Sequence, residues 1–208
     1  FFNYFLKNKG DVSAVKEINV FETGSNEWKF YDRWKPENAE EKALYLNQNG
    51  SASFSKIEPN QTESHPLSNS YASNPAKPVP YTNDITIGMK REYMTDDQRF
   101  AARRNDVLVY QTEILTEDVT VSGEIKPELY VSVNHPTERL LDADFIVKLI
   151  DVFPDDVSQT DPLYKEKPAM GGYQMLVRGE PMRARFRNGF ERPEAMEAGK
   201  IYKVAFTM

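Results

Sequence analysis

Short apolar runs recur along the second half of the chain, with no long amphipathic helix between them. They cover Val107 to Tyr110, Val119 to Ile125, Leu129 to Val133, Phe145 to Phe153, Tyr173 to Val177, Met182 to Phe186 and Ile201 to Phe206. Each has the length of a strand, and glycine, proline, asparagine and aspartate punctuate the gaps. Several alternate with the two-residue period of a half-buried strand. In the run Met182 to Phe186, Met182, Ala184 and Phe186 face one way and Arg183 and Arg185 the other. From Phe145 to Phe153, Phe145, Val147, Leu149 and Asp151 alternate with Ile146, Lys148, Ile150 and Val152. This rhythm predicts an all-β fold, a jelly-roll β-sandwich. A doubly wound sheet would need strands alternating with long helices, and that pattern is missing.

The first half reads differently. Phe1, Phe2, Phe5 and Leu6 make an apolar helical face that ends at Lys7, Lys9 and Gly10. Ala14 to Gly24 is β-branched and stops at a glycine turn, and Ala43 to Leu46 precedes an Asn49-Gly50 turn and a second short strand. From Glu58 to Thr82 prolines at 59, 66, 75, 78 and 80 forbid regular helix and central strand. The fold therefore carries an N-terminal helical or extended segment and a long proline-rich loop.

The stretch Asp96 to Tyr110, DDQRFAARRNDVLVY, leads from a polar run straight into an apolar strand. Asp96 or Asp97 is placed to cap a short helical turn, and Arg103 and Arg104 fall at its carbonyl end. The ordinary reading is a loop stapled to the sandwich by ion pairs among Asp96, Asp97, Arg99, Arg103 and Arg104. The sharper reading is a carboxylate-binding site built on Arg99, Arg103 or Arg104.

Composition excludes several chemistries. There are no cysteines, so disulfides, thiolate catalysis and cysteine-ligated zinc are out. A net charge of -6 argues against a nucleic-acid partner. No run approaches the roughly 20 apolar residues that span a bilayer, so no membrane role is expected. The only histidines are His65 and His135. Ser64 and His65 are adjacent and point to opposite sides of an extended chain, and no Gly-x-Ser-x-Gly elbow occurs. No catalytic residue, cofactor site or firm metal site is assigned. Asp151, Asp155 and Asp156 are the oxygen ligands that a rim calcium would use, and a paired-carboxylate site could draw on the same acids. Solvated turn acids are the ordinary reading. Trp28, Tyr31, Trp34 and Tyr45 could stack on sugars or fill a core. A carbohydrate-binding jelly roll with a calcium on its rim is thus the alternative function. Asn49 and Asn60 head Asn-x-Ser/Thr sequons.

The residues also carry a resemblance. Met94 to Ser132, MTDDQRFAARRNDVLVYQTEILTEDVTVSGEIKPELYVS, resembles the start of the C-terminal domain of the X-Pro dipeptidyl-peptidase-like serine hydrolases. Further matches follow in order: DADFIVKLIDVFPDD from Asp142, and MGGYQMLVRGEPMRARFRNGFERPEAMEAGKIYKVAFTM from Met170. YASNPAKPVPY from Tyr71 is similar to the loop before that domain, and FFNYFLKNKG and VFETGSNEW to the stretch leaving the catalytic domain. The branch it most resembles holds the α-amino acid ester hydrolases and glutaryl-7-aminocephalosporanic acid acylases, with cocaine esterase a cousin.

The resemblance implies a galactose-binding-like jelly roll and a parent with an α/β-hydrolase domain and a helical cap. It implies that the parent's catalytic triad precedes Phe1 and that this chain is a non-catalytic module. It would brace the catalytic and cap domains and contribute contacts to a homo-oligomer. On that basis residues 1–25 are expected to be the tail of the upstream hydrolase domain. Residues 26–93 are expected to be an extended linking segment with short strands, and 94–208 the main body. Periplasmic or secreted localisation is implied, with the cytoplasm otherwise. Family members usually continue past the segment matching Lys203 to Met208, so the sheet is expected to lack its last strands. It would then pair with another copy or with Phe1 to Leu6.

Overall fold

The computed structural model describes residues 1–13, 15–56, 68–88, 90–137, 140–156 and 170–208. Contacts divide the chain into one unit of Phe1–Leu44 with Ile114–Gly123 and another of Tyr45–Glu113 with Glu124–Met208. This division differs from the sequence-based one because residues 27–31 pair with 18–22, and the 45–53 hairpin belongs with the later strands.

The first unit begins with helix α1 (Phe2–Lys7), closed by Asn8 in the left-handed conformation. Strands β1 (Ile18–Glu22) and β2 (Glu27–Tyr31) form an antiparallel hairpin in which Phe21 faces Trp28 and Ile18 faces Tyr31. Among its described residues, only Pro36 is buried.

The second unit opens with hairpin β3 (Tyr45–Leu46) and β4 (Ala52–Ser53). At its turn Gly50 has φ 78°, and a Cβ there would lie 3.2 Å from Val109 O, so glycine suits both the backbone and the space. Residues 107–110, expected as a strand, run beside this turn outside any strand. Their pairing starts only at Gln111, whose N–H donates to Gly50 O at 2.9 Å in a single parallel bridge region with Ser51. Residues 119–125 also form no strand. A short 3-10 turn (Arg91–Met94) and helix α2 (Arg99–Ala102) follow the proline-rich loop. The described part of that loop is tied down: Asn69 Nδ2 donates to Tyr110 OH at 2.9 Å, and an Arg104 Nη donates to Lys77 O at 3.0 Å. Residues 57–67 of the loop lie outside the described residues.

The main ribbon pairs β7 (Asp144–Val152) with β8 (Gln174–Arg183). The expected run Tyr173 to Val177, from Gln174 on, and the first two residues of the run Met182 to Phe186 therefore share one long strand. A register shift at Leu149/Ile150 leaves Val177 unopposed, a bulge that resets which side chains face in. This is why Lys148, Leu149 and Ile150 are all half-buried instead of alternating. After β8 the chain turns through a 3-10 segment (Ala184–Phe186), so the expected strand stops at Arg183. Strands β5 (Glu128–Val131) and β10 (Tyr202–Ala205) pair antiparallel, as do β6 (Leu140–Leu141) and β9 (Met196–Glu197).

Among the described residues the strands form five antiparallel two-stranded ribbons, an all-β arrangement. Leu141, Ala184 and Met196 make the buried centre, with Val131, Val133, Phe145 and Tyr202 packed on it. Full burial of Met196 supplies about 1.5–3 kcal/mol of transfer free energy. The chain's end is paired within this unit: Phe206 N–H donates to Pro127 O and Met208 N–H to Ile125 O. The Phe1 to Leu6 segment, expected as a strand partner for the sheet, is not a strand. Phe2–Lys7 is helical, and a helix uses its backbone groups internally.

Candidate functional site

Among the described residues of the second unit, the two buried polar ones, Thr82 and Gln98, belong to a cluster around Asp96 to Arg99. Asp97 Oδ1 accepts the Arg99 N–H at 3.1 Å, a local loop that launches α2. The N-cap position itself falls on Gln98, which makes no side-chain cap bond; neither Asp96 nor Asp97 occupies it. A helix of four residues leaves the capping role to the turn before it.

Gln98 is 1% exposed and acts as the pivot. Its N–H donates to Gln174 O at 3.0 Å, its Nε2 to Asp96 O at 2.8 Å, and its Oε1 accepts Lys148 Nζ at 2.7 Å. Lys148 rises from the middle of β7, opposite Gly179, with its ammonium 5.6 Å above the Phe100 ring. Asp97 Oδ1 also accepts the Gln174 N–H, and the Tyr173 hydroxyl donates to Thr95 O. Buried Thr82 donates its hydroxyl to Asp96 Oδ2 at 2.5 Å. Thr82 is thus tied to Asp96, and residues 95–100 to β7 and to the start of β8. Gln174 Oε1 stands out as buried without a hydrogen-bond partner among the described residues.

Arg99 Nε donates to Asp97 Oδ2 at 2.6 Å, and an Arg99 Nη reaches Gly171 O at 3.5 Å. Gly172 has φ +61°, and a Cβ on it would fall 2.7 Å from Asp155 Oδ1 and 3.7 Å from the Arg99 guanidinium. Arg104 pairs with Asp106 through two hydrogen bonds, of 2.7 and 2.6 Å. Asp96 bonds to Thr82 instead of an arginine. Arg103 is exposed and enters none of the ion pairs found among the described residues.

Electrostatics follow this geometry. Partial burial pushes the Asp97 carboxyl up, but hydrogen bonds from Arg99 and from the Arg99 and Gln174 amides outweigh it and hold it below its ordinary value. The Asp97 hydrogen bond raises Arg99. Burial lowers Lys148 and raises the Tyr173 phenol. The shifts of Asp97, Arg99 and Tyr173 all run away from neutrality, where a general base would work. The cluster's chemistry is to hold backbone segments together.

A second clasp centres on Asp142. Arg183 Nε donates to its Oδ2 at 2.7 Å, Arg185 Nε lies 3.1 Å from the same oxygen, and the Arg185 N–H donates to Oδ1 at 3.2 Å. The two arginines that the sequence placed on one face converge on this carboxylate. Arg187, with a side chain 5% exposed, lies 4.4 Å over the Tyr202 ring and donates to Ala184 O and Glu194 O.

The calcium candidates are not brought together. Asp151 and Asp156 are exposed, and Asp155 faces the Arg99 guanidinium, which opposes a cation. Among the described residues no three acids or histidines gather as a metal site. Trp28 and Tyr31 project from opposite faces of β2, so these two do not share a stacking row, and Tyr45 belongs to the other unit. His135 sits in a turn with its Nδ1 3.4 Å from the Thr137 amide, and His65 lies outside the described residues. Sequence reasoning missed Thr82, Gln98, Asp106, Lys148 and Tyr173. The prolines tethering Thr82 and the unbroken β7 run around Lys148 were the available signals.

Comparison with known proteins agrees with this picture of a structural module. The cocaine esterase of Rhodococcus sp. (strain MB1 Bresler) is 31% identical over 215 residues, covering 100% of this chain and 33% of that protein. The crystal structure of an aminopeptidase from the marine sediment archaeon Thaumarchaeota archaeon matches with TM-score 0.81 and 33% identity, over 100% of this chain and 32% of that one. A selenomethionine-labelled α-amino acid ester hydrolase matches with TM-score 0.82 and 29% identity, over 99% and 32%. The chain spans about a third of the length of these relatives. Residues 11–208 match the family model of the X-Pro dipeptidyl-peptidase C-terminal non-catalytic domain. A match of that extent, with two solved folds superposing along the chain, places this protein in the X-Pro dipeptidyl-peptidase C-terminal domain family.

Proposed function

We propose that this chain is the non-catalytic β-sandwich module of a serine hydrolase that cleaves ester or amide bonds through an acyl-enzyme. Its work is mechanical. It packs against the catalytic and cap domains of the same polypeptide, keeps the active-site cleft in shape and contributes contacts between copies. The observation that carries this reading is the match of residues 11–208 to a domain described as non-catalytic. The relatives are named for esterase, aminopeptidase and ester-hydrolase activities, which one acyl-transfer chemistry can serve.

The side chains support the same role. Asp97 and Asp142 are held by arginines below their ordinary range, where they are poor bases, and an arginine does not give up its proton. The contacts between copies are supported by strand edges. Each ribbon has two strands among the described residues, so outer edges offer backbone groups for pairing.

The test is to prepare the longer polypeptide and label it with a fluorophosphonate that traps acylating serines. The label is expected on a serine before Phe1. A label on any residue between Phe1 and Met208 would refute the proposal.

A further inference from the structure

The chain holds two asparagine-glycine pairs, Asn49-Gly50 and Asn188-Gly189. Their backbones are closely matched. Both asparagines are exposed and both glycines half-buried. Both glycines have a positive φ, 78° at Gly50 and 122° at Gly189. Each glycine N–H donates to the carbonyl three residues earlier, Gly50 to Asn47 O at 3.1 Å and Gly189 to Phe186 O at 3.0 Å. The asparagine side chains differ. Asn49 Oδ1 accepts two hydrogen bonds from Ser51, from its N–H at 3.1 Å and from its hydroxyl at 2.6 Å. A backbone N–H only donates, so the atom facing it is the oxygen and not the amide nitrogen. That nitrogen makes no hydrogen bond among the described residues. Asn188 is held the other way round. Its Nδ2 donates to Glu194 Oε2 at 2.8 Å, and its Oδ1 accepts nothing among the described residues.

We infer that Asn49 is a self-modification site, at which the chain converts its own asparagine to isoaspartate and aspartate. The step is an attack of Gly50 N on Asn49 Cγ. The nitrogen gives up its proton to solvent base, the N–Cγ bond forms, and negative charge gathers on Oδ1. The Cγ–Nδ2 bond then breaks and ammonia leaves with a proton from water, which closes a succinimide ring. Water opens the ring at either carbonyl, giving isoaspartate or aspartate with no change of oxidation state. Two donors already aimed at Oδ1 stabilise the charge that forms there, as an oxyanion hole does. Gly50 offers the attack no side chain to block it. At Asn188 those donors are missing, and the Glu194 carboxylate holds the leaving nitrogen in place. The glycine N–H bonds slow both sites alike, so the asparagine contacts set the order. The isoaspartate product carries an extra main-chain carbon through the turn between β3 and β4. Beside that turn Gly50 O accepts the Gln111 N–H at 2.9 Å, and Gln111 O accepts the Ala52 N–H at 2.8 Å. These bonds tie the hairpin to Gln111, and the modification loosens them. The inference concerns the chain's own covalent structure and is independent of the functional reading above.

The test is to age the native protein, at full length, in mildly alkaline buffer made with heavy-oxygen water. It is then digested, and both asparagine-glycine peptides are read by mass spectrometry. Each conversion through a succinimide adds a heavy oxygen. Asn49 is expected to convert severalfold faster than Asn188, mostly to isoaspartate, with hydrogen-exchange protection lost at Ala52 and Gln111. The same protein aged in urea should convert both at similar rates, since an unfolded chain keeps neither set of contacts. Ser51→Ala removes the hydroxyl donor and should slow Asn49 severalfold in the folded protein. Asn188 converting as fast as Asn49, or an Asn49 lead that is undiminished in urea, overturns the inference without any variant. So does a Ser51→Ala protein, still protected at Gln111, in which Asn49 converts at the original rate or faster.

Discussion

Asp97 and Arg103 flank the same short helix, yet only one is fastened to the fold. Asp97 accepts from two backbone amides and from Arg99, joining the helix to the first residue of β8. Asp97→Ala removes a half-buried charged acceptor and leaves those donors unpaired, so it is expected to cost about 1–3 kcal/mol in chemical denaturation. Arg103→Ala touches an exposed side chain and is expected to stay within about 0.5 kcal/mol. The carboxyls also set a pH dependence. Partial burial is outweighed by arginine hydrogen bonds, which hold Asp97 and Asp142 below the ordinary carboxyl value of 3.8 in the folded protein. The unfolded chain therefore binds more protons in acid. Their contribution is complete above pH 3.8 and is lost as the pH falls through that value towards the folded ones. Denaturation midpoints should fall on acidification in this window, and Asp142→Asn should flatten the fall. That arginines pair with nearby acids was readable from the sequence. Their partners were not: Arg104 chose Asp106, and Asp96 took a threonine fourteen residues earlier. Gln98 was invisible because an uncharged glutamine becomes a pivot only when β7 and β8 bury it.

At the scale of elements, two-residue alternation located strands β7 and β8 but not their internal irregularities. The bulge at Leu149/Ile150 depends on how two strands meet, and neither strand alone encodes it. The Val107 to Tyr110 run has the composition of a strand but finds only one bridge beside the β3–β4 turn. Composition gives strand character; a partner along its length makes the strand. The turn before β8 is tightly built. Gly172 combines φ +61° with a close approach to Asp155, so Gly172→Ala strains the backbone and pushes on that carboxylate. The expected cost is about 1–3 kcal/mol. Hydrogen exchange should show the loss first at Tyr173 to Met175, which anchor the clasp. Met196 is fully buried in the β6–β9 ribbon, and Met196→Ala should cost about 2–5 kcal/mol through the cavity it leaves.

At the scale of the whole molecule, the described residues of one unit include a buried centre, and those of the other bury only Pro36. The fold class was legible because short strands and turn residues dominate the sequence. The boundary between units was less so, because the hairpin joining residues 18–22 to 27–31 crosses the expected division at residue 25. The side chains that the fold gathers among the described residues are ion pairs, hydrogen-bonded pivots and packed apolar groups. A non-catalytic module holds no reactive centre of its own. The most direct test is the purified 208-residue chain with p-nitrophenyl esters, alongside the same assay on a His65→Ala/His135→Ala double variant. The account predicts no turnover above buffer for either protein. Turnover by the original chain that disappears in the variant would contradict it, because it would place a working base between Phe1 and Met208.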